Sequence, residues 1–271
     1  MKKTALPRLM TLWLYLLLVI LALPLVSMAV LSVNQSRYGT FPFHFTSHWY
    51  TSLAGDSVLI GALGTSLNLA LQATIFAVIV GTLLSLGMAR SKRFITVPIN
   101  GLLLALLTVP ALILAAGFVI VFTWFGLGSS SLGLVLGSIV TSVPFVVLLV
   151  SGRLRDLSPN YAEAAHSLGA GPLRTFLTIT IPLIAPSIAA GAMLAFVVTF
   201  NNFAIQLFLL PIGVSTLPVQ IYSSVRYGVT PDVDALATII ILSTVVLVVV
   251  LNWLSGNAAK LFTPQTKEAD G

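Results

Sequence analysis

Apolar residues in this chain come in long blocks, and short clusters of Lys and Arg separate them. A helix needs roughly 20 mostly apolar residues to cross the hydrocarbon core of a bilayer. Six stretches meet that length: about Thr11–Val33, Leu59–Met88, Val97–Phe122, Leu132–Val150, Ile181–Leu210 and Ala235–Leu254. The second is long enough to tilt. A Gly/Ser-rich turn, Gly126-Leu127-Gly128-Ser129-Ser130-Ser131, joins the third to the fourth. The pattern predicts an all-α membrane protein with six transmembrane helices.

Composition agrees with that reading. Hydrophobic residues make up 58% of the chain and charged residues 7%, and the mean hydropathy is +1.06. A soluble domain carries about a quarter charged residues. So few charges cannot cover a water-exposed surface, and the bilayer must cover most of this one. There are no cysteines, which excludes disulfides, thiolate metal sites and a cysteine nucleophile.

A net charge of +6 would suit a nucleic-acid binder, but the positions of the charges give another account. Lys2, Lys3 and Arg8 precede the first span, and Arg90, Lys92 and Arg93 follow the second. Arg153, Arg155 and Arg174 lie between the fourth and fifth, and Lys260 and Lys267 follow the sixth. Eleven of the 13 basic residues thus fall on one side, with Arg37 and Arg226 on the other. The positive-inside rule places the crowded side, and with it both termini, in the cytoplasm. No nucleic-acid partner is needed to explain the charge.

The resulting division is a first span with its outer loop (1–58), a core of spans two to six (59–256) containing a cytoplasmic insertion at 152–181, and a cytoplasmic tail (257–271). Lys2 and Lys3 before a Leu-rich run, with Ser27-Met28-Ala29 behind it, leave a cleaved signal peptide as the alternative to a retained first span. A mature chain starting at Val30 would establish cleavage. The outer loop holds Phe41, Phe43, Phe45, Trp49 and Tyr50, as an interfacial aromatic belt or as a surface that docks a delivery protein.

The insertion is the most informative segment. Ser158-Pro159 is an N-cap and first-turn signal. Tyr161 to Leu168 is rich in helix formers, and Gly169 suits the left-handed residue that closes a helix. Gly171-Pro172 opens a second short helix through about Thr178, and Pro182 opens the fifth span. A cytoplasmic helix-turn-helix follows. Leu157, Tyr161, Ala164, Ala165 and Leu168 form an apolar stripe at helical spacing. It rests on its own bundle or fills a groove on a cytoplasmic partner.

Glu163-Ala164-Ala165, three residues, Gly169, nine residues and Ile179-Thr180-Ile181-Pro182 resemble the coupling-loop signature of binding-protein-dependent ABC importer permeases. Ile181 stands where that family commonly has Leu. The stretch Leu217 to Thr238 is similar to the outer loop of spermidine/putrescine-type permeases, most of all the second permease of that pair. The resemblance implies a second homologous permease, two ATP-binding subunits and an extracytoplasmic solute-binding protein in a bacterial inner membrane. It implies Tyr161, Glu163, Ala164, Ala165, Leu168, Gly169 and Pro182 as the residues that couple to the ATPase. The chain has no Gly-x-x-x-x-Gly-Lys-Ser/Thr loop. ATP and Mg therefore belong to the partner, no cofactor is expected here, and the chain is not expected to be an enzyme.

Polar residues inside spans should face protein or water. Thr65, Asn68 and Gln72 share a face of span two, and Thr199, Asn202 and Gln206 repeat the spacing on span five, with Asn201 beside them. Ser138, Thr141 and Ser142 lie on span four. These are candidate solute-path residues or interhelical hydrogen-bond glue. Where polyamine-type relatives often carry acids, span five reads Phe200-Asn201-Asn202-Phe203. No acid lies well inside any span. Amides both donate and accept, which suits an amino acid derivative, an opine or an aminophosphonate as well as a polyamine. A stand-alone secondary transporter or channel is the rival reading, but it would need an intramembrane ionisable relay or a filter. A metal shared by His44 and His48 requires a helix there, and Pro42 argues for a loop.

Overall fold

The computed structural model describes residues 5–36, 42–158, 160–227 and 232–243. It divides into two compact units, residues 1–57 with 223–271, and residues 58–222.

In the first unit, α1 (Ala5–Leu31) continues through Pro24, and no residue of its apolar stretch is buried. The chain then turns back on itself. Asn34 and Phe45 form an isolated antiparallel bridge. The Trp49 indole N–H donates to the Asn34 carbonyl at 2.7 Å, and the Tyr50 and Ser32 hydroxyls pair at 2.8 Å. Trp49 and Tyr50, both from the short helix α2 (His48–Gly55), thus close the outer loop. Residues 232–243 are helical. They are the only described part of the sixth predicted span and its flank; the rest of that span and the tail lie outside the described residues.

The second unit is built around α6. It contains α3 (Ser57–Arg90, from the unit boundary), α4 (Arg93–Thr108), α5 (Ala111–Trp124) and α6 (Ser131–Asp156). The Ser130 hydroxyl caps α6 by accepting from the Gly133 N–H at 3.0 Å. Of the apolar stretch of α6, 61% is buried, against 39% for α3 and 17% for the helix over Pro172–Asn201, so α6 is the central helix. The buried face of α3 is built from small residues, and Gly81 on it comes close to Val146 of α6. Ser66, Ala70, Ala73, Ala77, Gly81 and Ser85 recur every three or four residues along α3, and all are buried. Small side chains let membrane helices come close where no hydrophobic drive favours it.

Two predicted spans differ from the simple pattern, the fifth at both ends. The third is two helices, α4 and α5, bent by 113° at Val109-Pro110. Pro110 offers no N–H and holds Val109 extended (φ −68°, ψ 133°), so a straight helix cannot continue. The fifth stops at Asn202 (φ −77°, ψ 72°), which separates α9 (Ile181–Asn201) from α10 (Phe203–Leu209). Its start is also different. After α7 (Asn160–Ser167), the short α8 (Pro172–Thr175) does not end but runs through a π turn, Phe176–Thr180, into α9. Pro182 cannot donate to residue 178, and the Ile181 N–H instead reaches Phe176, an i→i−5 bond. Among the described residues, four helices are long and apolar enough to cross a membrane, or five if the bent pair is one span. A further helix, α11 (Leu217–Tyr227), begins in this unit, and its Leu217 N–H donates to the buried Ser66 hydroxyl at 2.7 Å.

Candidate functional sites

Two places bring the sequence candidates together. The first is a cleft of about 370 Å³ on α3, lined by Thr65, Asn68 and Gln72 together with Ser131, Pro211 and Val214. No charged residue lines it. Helical spacing stacks Asn68 under Gln72, and the Gln72 amide N–H donates to the Asn68 Oδ1 at 2.6 Å. Thr65 turns its hydroxyl onto the Gly61 carbonyl at 2.9 Å. The amide pair keeps the Asn68 N–H donors and the Gln72 Oε1 acceptor unused. Sequence reasoning missed Pro211 and Val214. They sit in the turn after α10, where Gly213 has φ +82°, and no spacing rule connects that turn to α3.

The span-five candidates sit elsewhere, at the helix break. The Asn202 Oδ1 accepts from the Ile205 N–H at 3.3 Å and so caps α10, while its Nδ2 donates to the Thr141 hydroxyl at 3.4 Å. Gln206 is fully buried. Its Nε2 donates to the carbonyls of Thr199 and Phe200 at 2.8 and 3.3 Å in the last turn of α9, where the Thr199 carbonyl also accepts from the Asn202 N–H. Thr199 is also fully buried and shares a 2.7 Å bond with Ser142 of α6. Ser138 and Thr141 bond to carbonyls of their own helix. Asn201 is exposed and donates to the Val197 carbonyl at 3.0 Å. Equal spacing therefore conceals unequal roles: the α3 set lines an open cleft, and most of the α9–α10 set holds a break together. Ser142→Ala should cost about 0.6–1.7 kcal/mol, the range of buried interhelical hydrogen bonds, read as a lower unfolding temperature of the purified chain.

The second place is the segment around α7. The Ser158 hydroxyl accepts from the Asn160 N–H at 3.3 Å. At the other end the Ala170 N–H reaches the Ala165 carbonyl at 2.9 Å, with Gly169 at φ +80° between them. This six-to-one bond around a left-handed residue is the Schellman closure. Of the apolar stripe, Ala165 is buried and Leu157 half-buried, but Tyr161 is 54% exposed and Leu168 88%. Glu163 and Ala164 are exposed as well, and so is Pro182 at the start of α9. The outward part of the stripe has no cover in its own unit.

The family described as the binding-protein-dependent transport system inner membrane component matches residues 78–263. The chain belongs to that family. It is an ABC transporter permease component, and the residues that carried the resemblance, Glu163 to Pro182, fall inside the matched region. The chain is 31% identical over 248 residues to the spermidine/putrescine transport system permease protein PotC of Escherichia coli (strain K12), covering 91% of this permease and 94% of PotC. It is 35% identical over 233 residues to the putrescine transport system permease protein PotI of the same strain, covering 80% of each. Its fold is similar to a bacterial ABC transporter involved in the import of the acidic polysaccharide alginate, with a TM-score of 0.69, 16% identity, and 95% and 96% of the two chains covered.

Proposed function

We propose that this permease forms half of the membrane pathway of an ATP-driven importer for small amine-bearing solutes, polyamines foremost. Similarity to PotC over nine-tenths of the chain supports that reading most. In it, a second permease completes the pathway, two ATP-binding subunits supply the energy, and an extracytoplasmic protein delivers the solute. All six spans of the sequence pattern cross the membrane. The bent α4–α5 pair counts as one crossing, because Arg90, Lys92 and Arg93 before it and Arg153 and Arg155 after α6 must share the cytoplasmic side.

The segment Tyr161 to Leu168, with Tyr161 and Leu168 uncovered, seats in the ATPase, while Glu163 holds the segment's shape or meets the ATPase directly. Closure of the ATP-binding subunits then moves α8 and α9 as a rigid lever, in the manner of alternating access by rocking bundles. The solute passes Thr65, Asn68 and Gln72. Asn201, Asn202, Gln206 and Thr199 set the shape of the path at the break in span five. The cleft's lack of charge suits recognition by amide hydrogen bonds, so acids that neutralise a polyamine come from the partner permease. Amino acid derivatives, opines and aminophosphonates fit the same chemistry.

Asn68→Ala combined with Gln72→Ala should raise the apparent KM for solute uptake about tenfold, equivalent to about 1.4 kcal/mol, in vesicles containing the whole transporter. Basal ATP hydrolysis should stay unchanged. An unaltered KM would remove these residues from the path. Solute flux through the chain alone, without ATP, would favour the channel or secondary-transporter reading instead.

A further inference from the structure

We propose that the cytoplasmic end of the α3–α4–α6 cluster binds an anionic glycerophospholipid, as a site separate from the solute path. It depends on the orientation given above, with Arg90–Arg93 and Arg153–Arg155 on the cytoplasmic side.

Two clefts meet there. A polar one of about 390 Å³ is lined by Ser91, Arg93, Thr96, Asn100, Ser151 and Arg155 among others. An apolar one of about 250 Å³ is lined by Leu103, Leu104, Leu107, Val147 and Leu148. Asn100, Ser151 and Arg155 line both, so the two are continuous. The polar cleft carries two guanidinium groups and no carboxylate. Asp156, the acid nearest in sequence, does not line it. Guanidinium recognises phosphate oxygens in bidentate fashion. The Ser151 hydroxyl is buried and has no hydrogen-bond partner, a donor left over for a ligand oxygen. In the apolar cleft Leu104, Leu107 and Leu148 are all exposed, so this groove opens onto hydrocarbon. Phe94, 89% exposed beside Arg93, adds apolar surface next to the basic cleft.

A basic cleft continuous with an apolar groove, on the anionic leaflet's side, matches one ligand chemistry. Basic pockets between membrane helices on the cytoplasmic side take anionic headgroups, and the groove takes an acyl chain. A free phosphate would use only the first half, and a neutral lipid only the second.

The test is native mass spectrometry of the full chain, delipidated and then exposed to equal amounts of dioleoylphosphatidylglycerol and dioleoylphosphatidylethanolamine. The chain should retain the glycerol lipid over the ethanolamine lipid by about thirtyfold, from two basic contacts near the surface at about 1 kcal/mol each. Arg93→Gln with Arg155→Gln should bring the ratio close to parity, and Arg93→Lys with Arg155→Lys should keep most of it. Leu148→Trp, which fills the groove, should reduce retention with both arginines intact. Lys92→Gln removes one charge from the same stretch but outside the cleft and should leave the ratio unchanged. No preference in the wild-type chain would overturn the proposal. So would a Lys92→Gln loss as large as that of the arginine pair, because the effect would then be surface charge at large. Displacement of the lipid by inorganic phosphate, with Leu148→Trp silent, would make this a free-phosphate site and equally refute it.

Discussion

Gly169→Asp should abolish ATP-driven uptake while the chain still inserts and accumulates to its usual level. Gly169 has φ +80°, and a Cβ built there meets nothing within 4 Å. Crowding inside the chain therefore cannot be the cause of a defect. What remains is the backbone, which a side chain strains by roughly 1 kcal/mol in the left-handed region, and the surface beside Leu168, where a carboxylate would replace a bare turn. The two causes separate by substitution. Asn tolerates the left-handed region and adds no charge, so Gly169→Asn should keep most uptake. Gly169→Ala, carrying strain alone, should fall between the two. The assays are solute uptake in vesicles and recovery of the ATP-binding subunit with the purified chain. Normal uptake by Gly169→Asp would sink the coupling role of this turn.

The second large effect is on the bundle itself. Val146 of α6 lies between two glycines: a Cβ at Gly81 on α3 would stand 2.8 Å from the Val146 Cβ, and one at Gly191 on α9 would stand 3.2 Å from the Val146 Cα. Both Gly81→Ala and Gly191→Ala should lower the unfolding temperature, with overpacking costs of about 1–3 kcal/mol each. Their response to Val146→Gly should differ. The obstacle at Gly81 is mainly a side chain, so Gly81→Ala should be milder by about 1 kcal/mol or more in that background. The obstacle at Gly191 is first of all backbone, so Gly191→Ala should keep most of its cost. Equal rescue of both would mean that the helices simply shift apart, and that the close approach around Val146 is not rigid.

These tests rest on features that differ in how far the sequence revealed them. Apolar length located α1, α3 and α6, because a helix with a long uninterrupted hydrophobic run has few alternatives in lipid. It could not locate the 113° bend, since hydropathy counts residues and ignores direction. Val109-Pro110 carried that information, because proline is the residue that stops an i→i−4 ladder. The break at Asn202 had no comparable signal. Asn sits tolerably inside a helix, and only the surroundings of Thr141, Thr199 and Gln206 make it a cap here. The bounds of α7 were legible for the opposite reason: its Ser158 start and Gly169 stop act locally and need no tertiary context. For the polar faces, spacing alone could not distinguish a lining from a cap.

The bend between α4 and α5 bears on where lipid can lie. At 1.5 Å per residue, the 16 residues of α4 and the 14 of α5 reach about 24 and about 21 Å, short of a roughly 30 Å hydrocarbon core. Pro110 brings no N–H to the turn, and the last carbonyls of α4 and first amides of α5 cannot all be satisfied by their own helices. Fatty acyl tails offer such groups nothing. The elbow at Val109–Pro110 must therefore meet moisture or another protein surface, so along this one edge the oily slab that surrounds the chain is interrupted partway through its thickness.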